Sequence, residues 1–431
     1  MIPRPALKVP PAWSFPLPGV TSLETGLNLW TYDLPGQCIL SCHLVIELPI
    51  NAEPVDRDGI ATLAIRTLDE GSLAYPGPQY GAALDEIGAR FGGHVGLSTT
   101  QCLMSLPYDS FEAGMNLLAE AVQNPGFAPD DVARIKANRM AEIEQQESLG
   151  SYVASTELRS IVIDPSLRLA HPAGGSLNTI STVTPTDVTS FHARYYQAKS
   201  ATLIIAGDLN DVDAQEMAMK AFGNWQPNQL IVPEVARPGS VGNKLINRNG
   251  AVQADIRFGW YGIDRRDPRW ASLQVALTIM AGSFGSRLNR VLREERGFTY
   301  AVSMNAHPFR TGGMIDLATA TRTSTTSDLI EETLGILQVN QPFTDEEVRD
   351  GIGYLTMSAP LTFDTAEAVA SQAAGLAAAR LDLDHVSTSL TELAKVTPDS
   401  AMEAFQSLVT TEKASIVVVG DTDEIDVEFE S

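Results

Sequence analysis

Residues 201–208 read ATLIIAGD, and residues 414–421, which lie 213 positions later, read ASIVVVGD. Each stretch is a short, continuous apolar run, which is typical of a strand that is covered on both faces. The tripeptide Val-Thr-Pro repeats at the same offset, at residues 183–185 and again at residues 396–398. The sequence therefore predicts two copies of one folding unit, and such a repeat constrains the fold before any single motif does.

A third match lies further upstream in both copies. FAPDDV at residues 127–132 returns as FTDEEV at residues 343–348. Between the copies, residues 226–250 are rich in Pro, Gly and Asn and lack helical periodicity, which is typical of a linker. We predict a first domain over residues 1–225, a linker over 226–250 and a second, homologous domain over 251–431.

Both copies carry the same order of signals. An alternating strand comes first, at residues 39–48 and again at 252–261. A long helix, a strand region punctuated by Gly, several helices and the closing apolar strand then follow. Because strands and helices do not alternate regularly, this order indicates an α+β fold, with an antiparallel-rich sheet covered by helices in each domain.

Charge and composition exclude several functions. The 431 residues contain 30 Lys and Arg against 53 Asp and Glu, a net charge of −23, which disfavours nucleic acid and anionic membranes as partners. We see no apolar stretch long enough to span a membrane, and the proline-rich first twenty residues lack a signal-peptide core. The three cysteines, Cys38, Cys42 and Cys102, form no C-x-x-C pair. We expect a cytoplasmic protein.

The segment GIATLAIRTLDEGS at residues 59–72 resembles the active-site helix of the pitrilysin/insulinase zinc peptidases, whose signature is H-x-x-E-H. In that family the histidines hold zinc and the glutamate activates water. Here Thr62 and Arg66 occupy the histidine positions and Ile65 the glutamate position, while Glu142 matches the family's third ligand. Because one carboxylate cannot hold zinc, we predict a core helix and no metal bound by this chain.

A second segment, AGSFGSRLNRVLREERGFTYAV at residues 281–302, predicts a helix over 286–295, a stop at Gly297 and a strand over 298–305. It resembles the part of the second domain of these peptidases that carries a functional Arg and Tyr, and Arg293 and Tyr300 match their spacing. The implied role is donation of hydrogen bonds to a peptide carbonyl on which negative charge develops. The alternative is a solvated arginine beside a tyrosine packed in the core.

Two further motifs are weaker. Gly92, Gly93 and His94 lead into a predicted edge strand, and in the family a comparable strand pairs with the substrate backbone. The resemblance therefore implies that Gly93, His94 and Val95 bind substrate. Ser283 lies in a sequence one residue short of the G-x-S-x-G nucleophile elbow, which leaves a serine hydrolase as an alternative, although the preceding residues look helical.

The resemblance extends from about residue 13 to 427, and the length matches one half of a clamshell. Some short members of the family work as heterodimers in which one subunit supplies zinc and the other the Arg/Tyr pair. The resemblance thus implies a non-zinc subunit that hydrolyses unfolded peptides together with a homologous H-x-x-E-H partner, with Arg293 and Tyr300 acting in trans. The alternative is a catalytically silent peptide-binding or assembly-scaffold protein of the same fold.

Overall fold

A computed structural model describes residues 13–226 and 231–427. The proline-rich residues 1–12 and positions 227–230 of the predicted linker lie outside the described residues. The described chain forms two sheets with helices packed on both of them, so the predicted α+β class is confirmed.

The first sheet has six strands among the described residues, in the order β1-β2-β6-β3-β5-β4. Only β2 and β6 pair in parallel within it, and the other neighbours are antiparallel. The strands are β1 (Gly19–Ser22), β2 (Asn28–Asp33), β3 (Ile39–Ile46), β4 (Arg90–Val95), β5 (Thr100–Pro107) and β6 (Ala201–Gly207).

The second sheet has the order β7-β11-β8-β10-β9 within the same described ranges. Its pairing repeats that of the first sheet, because β7 and β11 are parallel and every later pair is antiparallel. The strands are β7 (Asn243–Asn247), β8 (Gln253–Gly262), β9 (Thr299–Pro308), β10 (Gly313–Arg322) and β11 (Ser415–Gly420).

Helices surround both sheets. Those before residue 227 are α1 (Ile60–Arg66), α2 (Pro78–Glu86), α3 (Phe111–Gln123), α4 (Pro129–Glu147), α5 (Gly150–Val162), α6 (Leu177–Thr182), α7 (Pro185–Tyr195) and α8 (Ala214–Phe222). The later ones are α9 (Trp270–Leu277), α10 (Thr326–Leu337), α11 (Asp345–Met357), α12 (Ala359–Thr362), α13 (Ala366–Ala379), α14 (His385–Leu393) and α15 (Pro398–Leu408). Two π-helical segments lie at Thr278–Gly282 and Asn289–Glu295, and 3₁₀ turns lie at Ile50–Ala52, Tyr108–Ser110, Arg168–Ala170, Ala198–Ser200, Thr323–Thr325 and Thr411–Lys413.

The repeated Val-Thr-Pro motif starts equivalent helices. Thr184 and Thr397 are the N-caps of α7 and α15, and each forms a capping box with the residue three positions on. The following prolines occupy the first helical turn, where a missing N–H costs no hydrogen bond. The sequence repeat is therefore matched by a repeat of local structure.

The closing strands β6 and β11 are buried on both faces, as their apolar runs predict. In β6, Leu203 contributes to the core beneath the helices that include α1 and α3, and Ile204 contributes to a core on the opposite face. In β11, Val418 and Val417 divide in the same way between two cores. The alternation of strand side chains thus lets one strand join two helical layers.

Each half of the chain contributes one helix that packs on the sheet of the other half. Helix α5 precedes the second sheet in sequence but packs on β8 and β11, while α13 packs back on β3 and β6 of the first sheet. The contact of α5 is close: a Cβ at Gly259 would lie 2.8 Å from the Leu158 side chain. This exchange buries apolar surface between the halves and couples their stabilities.

The observed bounds refine three predictions. The strands predicted at 39–48 and 252–261 are β3, ending at Ile46, and β8, starting at Gln253. The predicted linker 226–250 contains β7, which pairs in parallel with β11. Its side chains are partly or fully exposed, so an apolar pattern could not reveal it. The domain boundaries themselves stay a prediction.

Among the helices of the described ranges, none combines the length and the apolar character that crossing a bilayer requires.

Candidate functional site

Helix α1 carries the positions that correspond to the zinc motif. It starts after Gly59, whose φ of 94° lies in the left-handed region that favours glycine. Thr62 and Ile65 are buried, and the Ile65 side chain lies so close to β4 that a Cβ at Gly93 would be 2.5 Å from it. Arg66 ends the helix with its side chain 40% exposed. The prediction of a core helix is therefore confirmed for Thr62 and Ile65.

Arg66 and Glu142 form an ion pair across 76 positions of sequence. The Nη1 of Arg66 donates to both carboxylate oxygens, at 2.8 and 2.7 Å, and the Nη1 of Arg139 donates to one of them at 3.1 Å. Partial burial opposes ionisation of Glu142, but the hydrogen bonds and charges of the two arginines outweigh it and hold its pKa below the usual value. Glu142 is thus held as a carboxylate by guanidinium groups.

These residues do not fit a zinc ion. A buried threonine hydroxyl, an isoleucine and a guanidinium replace the donors that the motif would supply, and the remaining carboxylate is engaged by two arginines. Within residues 13–226 and 231–427, no three His, Cys, Asp or Glu side chains cluster as metal ligands. We derive no metal-dependent step from this chain.

Strand β4 lies at the edge of the first sheet in the described chain, as predicted, and pairs with β5 on one side. Gly93 and Val95 are partly exposed, and His94 is exposed. The free edge of such a strand presents backbone groups to which an extended peptide can add. Substrate binding by Gly93, His94 and Val95 stays a prediction.

Arg293 and Tyr300 meet at one exposed point. The π-helical segment Asn289–Glu295 carries Arg293, the chain reverses at Gly297 with φ of 64°, and β9 places Tyr300 at its start. The guanidinium carbon lies 5.8 Å from the centroid of the Tyr300 ring. Tyr300 is 90% exposed, so the alternative of a tyrosine packed in the core is wrong.

Phe284 is a third member of this cluster that the sequence did not reveal. The guanidinium carbon of Arg293 lies 4.0 Å from the centroid of its ring, while the ring itself is 64% exposed. Cation–π contacts with two rings orient the guanidinium and leave its N–H groups available to a ligand. An aromatic residue in a Gly-Ser loop was the signal that could have indicated it.

Polar contacts fix the elements that carry the pair. Asn289 donates to the carbonyl of Val302 at 2.9 Å and accepts from its N–H at 3.0 Å, which ties the helix to β9. At the helix start, Arg287 donates to both oxygens of Glu347 at 2.7 and 2.8 Å. The helical segment that carries Arg293 is therefore hydrogen-bonded directly to the strand that carries Tyr300.

Replacing Glu347 by glutamine is expected to lower the free energy of unfolding by about 1–2 kcal/mol at neutral pH. Hydrogen bonds from Arg287 lower the pKa of Glu347 from 4.5 to about 2. Because the folded-state pKa is depressed, the stabilisation is present above about pH 4.5 and is lost as the pH falls towards 2. Urea unfolding of both proteins at pH 7 and pH 3 measures the difference. Glu346→Gln is the control, since that side chain is 78% exposed. An equal difference at both pH values would contradict the assignment.

Ser283 does not occupy a nucleophile elbow. The residue before it ends the π-helical segment Thr278–Gly282, whereas the elbow requires a preceding strand. The structure therefore gives no support to the serine-hydrolase alternative.

The chain is similar in sequence and in fold to several known proteins. The sequence model of the family described as "Peptidase M16 inactive domain" matches residues 182–352. An uncharacterised zinc protease of Rickettsia felis is 23% identical, over 70% of this chain and 73% of its own. The non-peptidase homologue YmxG of Helicobacter pylori is 20% identical, over 71% and 72%.

Two solved structures share the fold. A peptidase M16 inactive domain from Pseudomonas fluorescens superposes with a TM-score of 0.87 at 22% identity and covers 96% of this chain and 100% of its own. A chain of complex III from Candida albicans gives a TM-score of 0.78 at 15% identity, over 93% and 95%. Both likenesses extend over nearly the whole chain.

Proposed function

Because the chain is a homologue of the M16 zinc peptidases, we propose that it is the non-zinc subunit of a heterodimeric metallopeptidase. Its partner would be a homologous subunit that carries H-x-x-E-H and binds the zinc ion. The substrate would be an unfolded peptide, and we place the reaction in the cytoplasm.

The observation that carries the proposal is the contrast between the two halves. In the first half, a guanidinium pairs with the one carboxylate that matches a zinc ligand, through Arg66 and Glu142. In the second half, Arg293 and Tyr300 converge at an exposed point. A chain that lacks the metal donors but brings an arginine and an exposed tyrosine together is suited to assist a reaction centred on another subunit.

The chemistry assigned to this chain is electrostatic. The partner's zinc would supply the activated water. Arg293 would donate N–H groups, and Tyr300 its O–H group, to the carbonyl oxygen of the scissile peptide. As water attacks, negative charge grows on that oxygen, so these bonds strengthen in the transition state and lower the barrier. If the two subunits close as a clamshell, folded proteins could not reach these donors.

Reconstitution tests the proposal. The chain is produced alone, with an H-x-x-E-H homologue from the same genome, and with a form of that homologue whose motif glutamate is glutamine. We expect co-elution on gel filtration and hydrolysis of an unfolded, quenched-fluorescence peptide by the wild-type pair alone. A chain that neither associates with the homologue nor changes its activity would refute the proposal.

A second function is supported by a specific observation. The relative YmxG is named a non-peptidase homologue, and the fold is shared with a chain of complex III. A catalytically silent protein that binds peptide or supports an assembly would keep the fold without turnover. It predicts association without hydrolysis in the same reconstitution, and no effect of replacing Arg293 on that association.

A further inference from the structure

Arg66 uses only part of its hydrogen-bonding capacity. Both contacts with Glu142 are made by Nη1. Within the described ranges, neither Nε nor Nη2 of Arg66 has a hydrogen-bond partner, and the side chain is 40% exposed. The Nε and Nη2 donors form one planar edge of the guanidinium, and this edge matches the two oxygens of a carboxylate.

The residues around Arg66 leave its Nε and Nη2 donors available to a ligand. Arg139 is buried, and it holds Glu142 from the other side while its own Nε donates to the carbonyl of Gly174 at 3.0 Å. Glu142 is therefore shared by two guanidinium groups, and the three side chains carry a net charge of +1 at neutral pH. In a chain whose net charge is −23, this is a local site that attracts an anion.

We propose that Arg66 binds a carboxylate of an extended peptide that lies along the edge strand β4. Helix α1 packs on β4, and Ile65, the residue before Arg66, lies against Gly93 of that edge strand. Backbone pairing with β4 would hold the peptide, and the bidentate contact with Arg66 would select an acidic group. The position equivalent to the zinc site thus becomes a site for peptide recognition.

The inference goes beyond the proposed function, since it concerns the first half of the chain and needs no partner subunit. The carboxylate could belong to the peptide's C-terminus or to an acidic side chain. Three fluorescein-labelled octapeptides rich in Thr and Val distinguish these sources: one with a free C-terminus, one amidated, and one amidated with a central glutamate. Binding is measured by fluorescence anisotropy on the chain alone.

We expect at least one carboxylate peptide to bind roughly tenfold to a hundredfold more tightly than the amidated peptide without glutamate, the effect of a charge-assisted bidentate contact. Arg66→Met should abolish this preference. Glu142→Gln should increase it severalfold, because the variant removes the competing negative charge while keeping the side chain's shape. Arg134→Met is the matched control, since Arg134 is a similarly exposed arginine of the neighbouring helix α4 that pairs with other carboxylates, those of Glu70 and Asp131.

The ratio between carboxylate and amidated peptides is the deciding quantity, because a loss of folding would weaken all peptides together. Equal binding of the three peptides by the wild-type chain, or no binding of any, would overturn the proposal. So would a preference that survives Arg66→Met or that falls in Glu142→Gln. A failed reconstitution with the zinc-bearing homologue would leave these measurements unaffected.

Discussion

Replacing Arg293 by alanine is expected to lower kcat/KM of the reconstituted heterodimer by about 10²–10³-fold, the usual effect of removing one donor from a developing oxyanion. Tyr300→Phe removes one hydroxyl and should cause a loss of similar size. Both losses should fall mainly on kcat, because the bonds strengthen as charge develops on the carbonyl. Steady-state hydrolysis of an unfolded peptide measures them.

Arg290→Ala provides the control. Arg290 lies on the same helical segment, and its side chain is 58% exposed. Its Nε lies 3.8 Å from the Oε1 of Glu295. Its removal changes the local charge by the same amount but leaves the contacts of Arg293 with Phe284 and Tyr300 intact. If Arg293→Ala and Arg290→Ala reduce kcat/KM equally, the effect is one of surface charge. If neither changes it, Arg293 has no part in hydrolysis.

Local signals were sufficient to predict that Arg293 and Tyr300 lie close together, while their role stays a prediction that rests on the family resemblance. A helical segment that ends at Glu295, a reversal at Gly297 and a strand that starts at Thr299 bring Arg293 and Tyr300 together, because the turn between them is short. Phe284 reaches the same point from the loop that precedes this helix. Neither the hydrophobic periodicity nor the residue spacing of the sequence predicts such a contact, because the contact depends on how the loop packs.

The ion pair in the first half could not be predicted for the same reason, and its two residues are much further apart in the sequence. Sequence placed Arg66 and Glu142 at positions that correspond to metal ligands, but their pairing depends on how α1 packs on α4. The repeat predicted two copies of one fold, and the two sheets share their pairing pattern, but the order of the strands within each sheet was not predicted. The packing of α5 and α13 on the sheet of the other half could not be predicted, because the pattern of an amphipathic helix does not specify which sheet the helix covers.

The buried pair of Glu53 and Arg168 is expected to be a major determinant of stability. Glu53 is fully buried, and its carboxylate accepts hydrogen bonds from the N–H groups of Gly59 and Ala61 at the start of α1, at 2.9 to 3.1 Å. Arg168 donates to it from Nη2 at 2.7 Å and from Nε at 2.9 Å. The Glu53 carboxylate thereby pairs with a buried guanidinium and caps the helix that carries Arg66.

Glu53→Ala is expected to lower the free energy of unfolding by about 2–4 kcal/mol, because it removes the closer of two carboxylates that face the buried Arg168 and leaves two helix N–H groups without an acceptor. Asp58, whose Oδ1 lies 3.2 Å from the Nε of Arg168, remains as a counter-ion. Urea unfolding at neutral pH measures this loss. The double variant Glu53→Ala/Arg168→Met should recover part of the stability, since the buried guanidinium that has lost its closer carboxylate is then absent.

Glu112→Ala is the comparison for this experiment. Glu112 pairs with Lys220 at the surface, with side chains 54% and 61% exposed, and its loss should cost less than about 1 kcal/mol. A double variant no more stable than Glu53→Ala would show that the cost lies in the lost cap of α1 rather than in the buried charge. Equal losses for Glu53→Ala and Glu112→Ala would contradict the assigned burial, because water would then be solvating Arg168 as it does a surface cation.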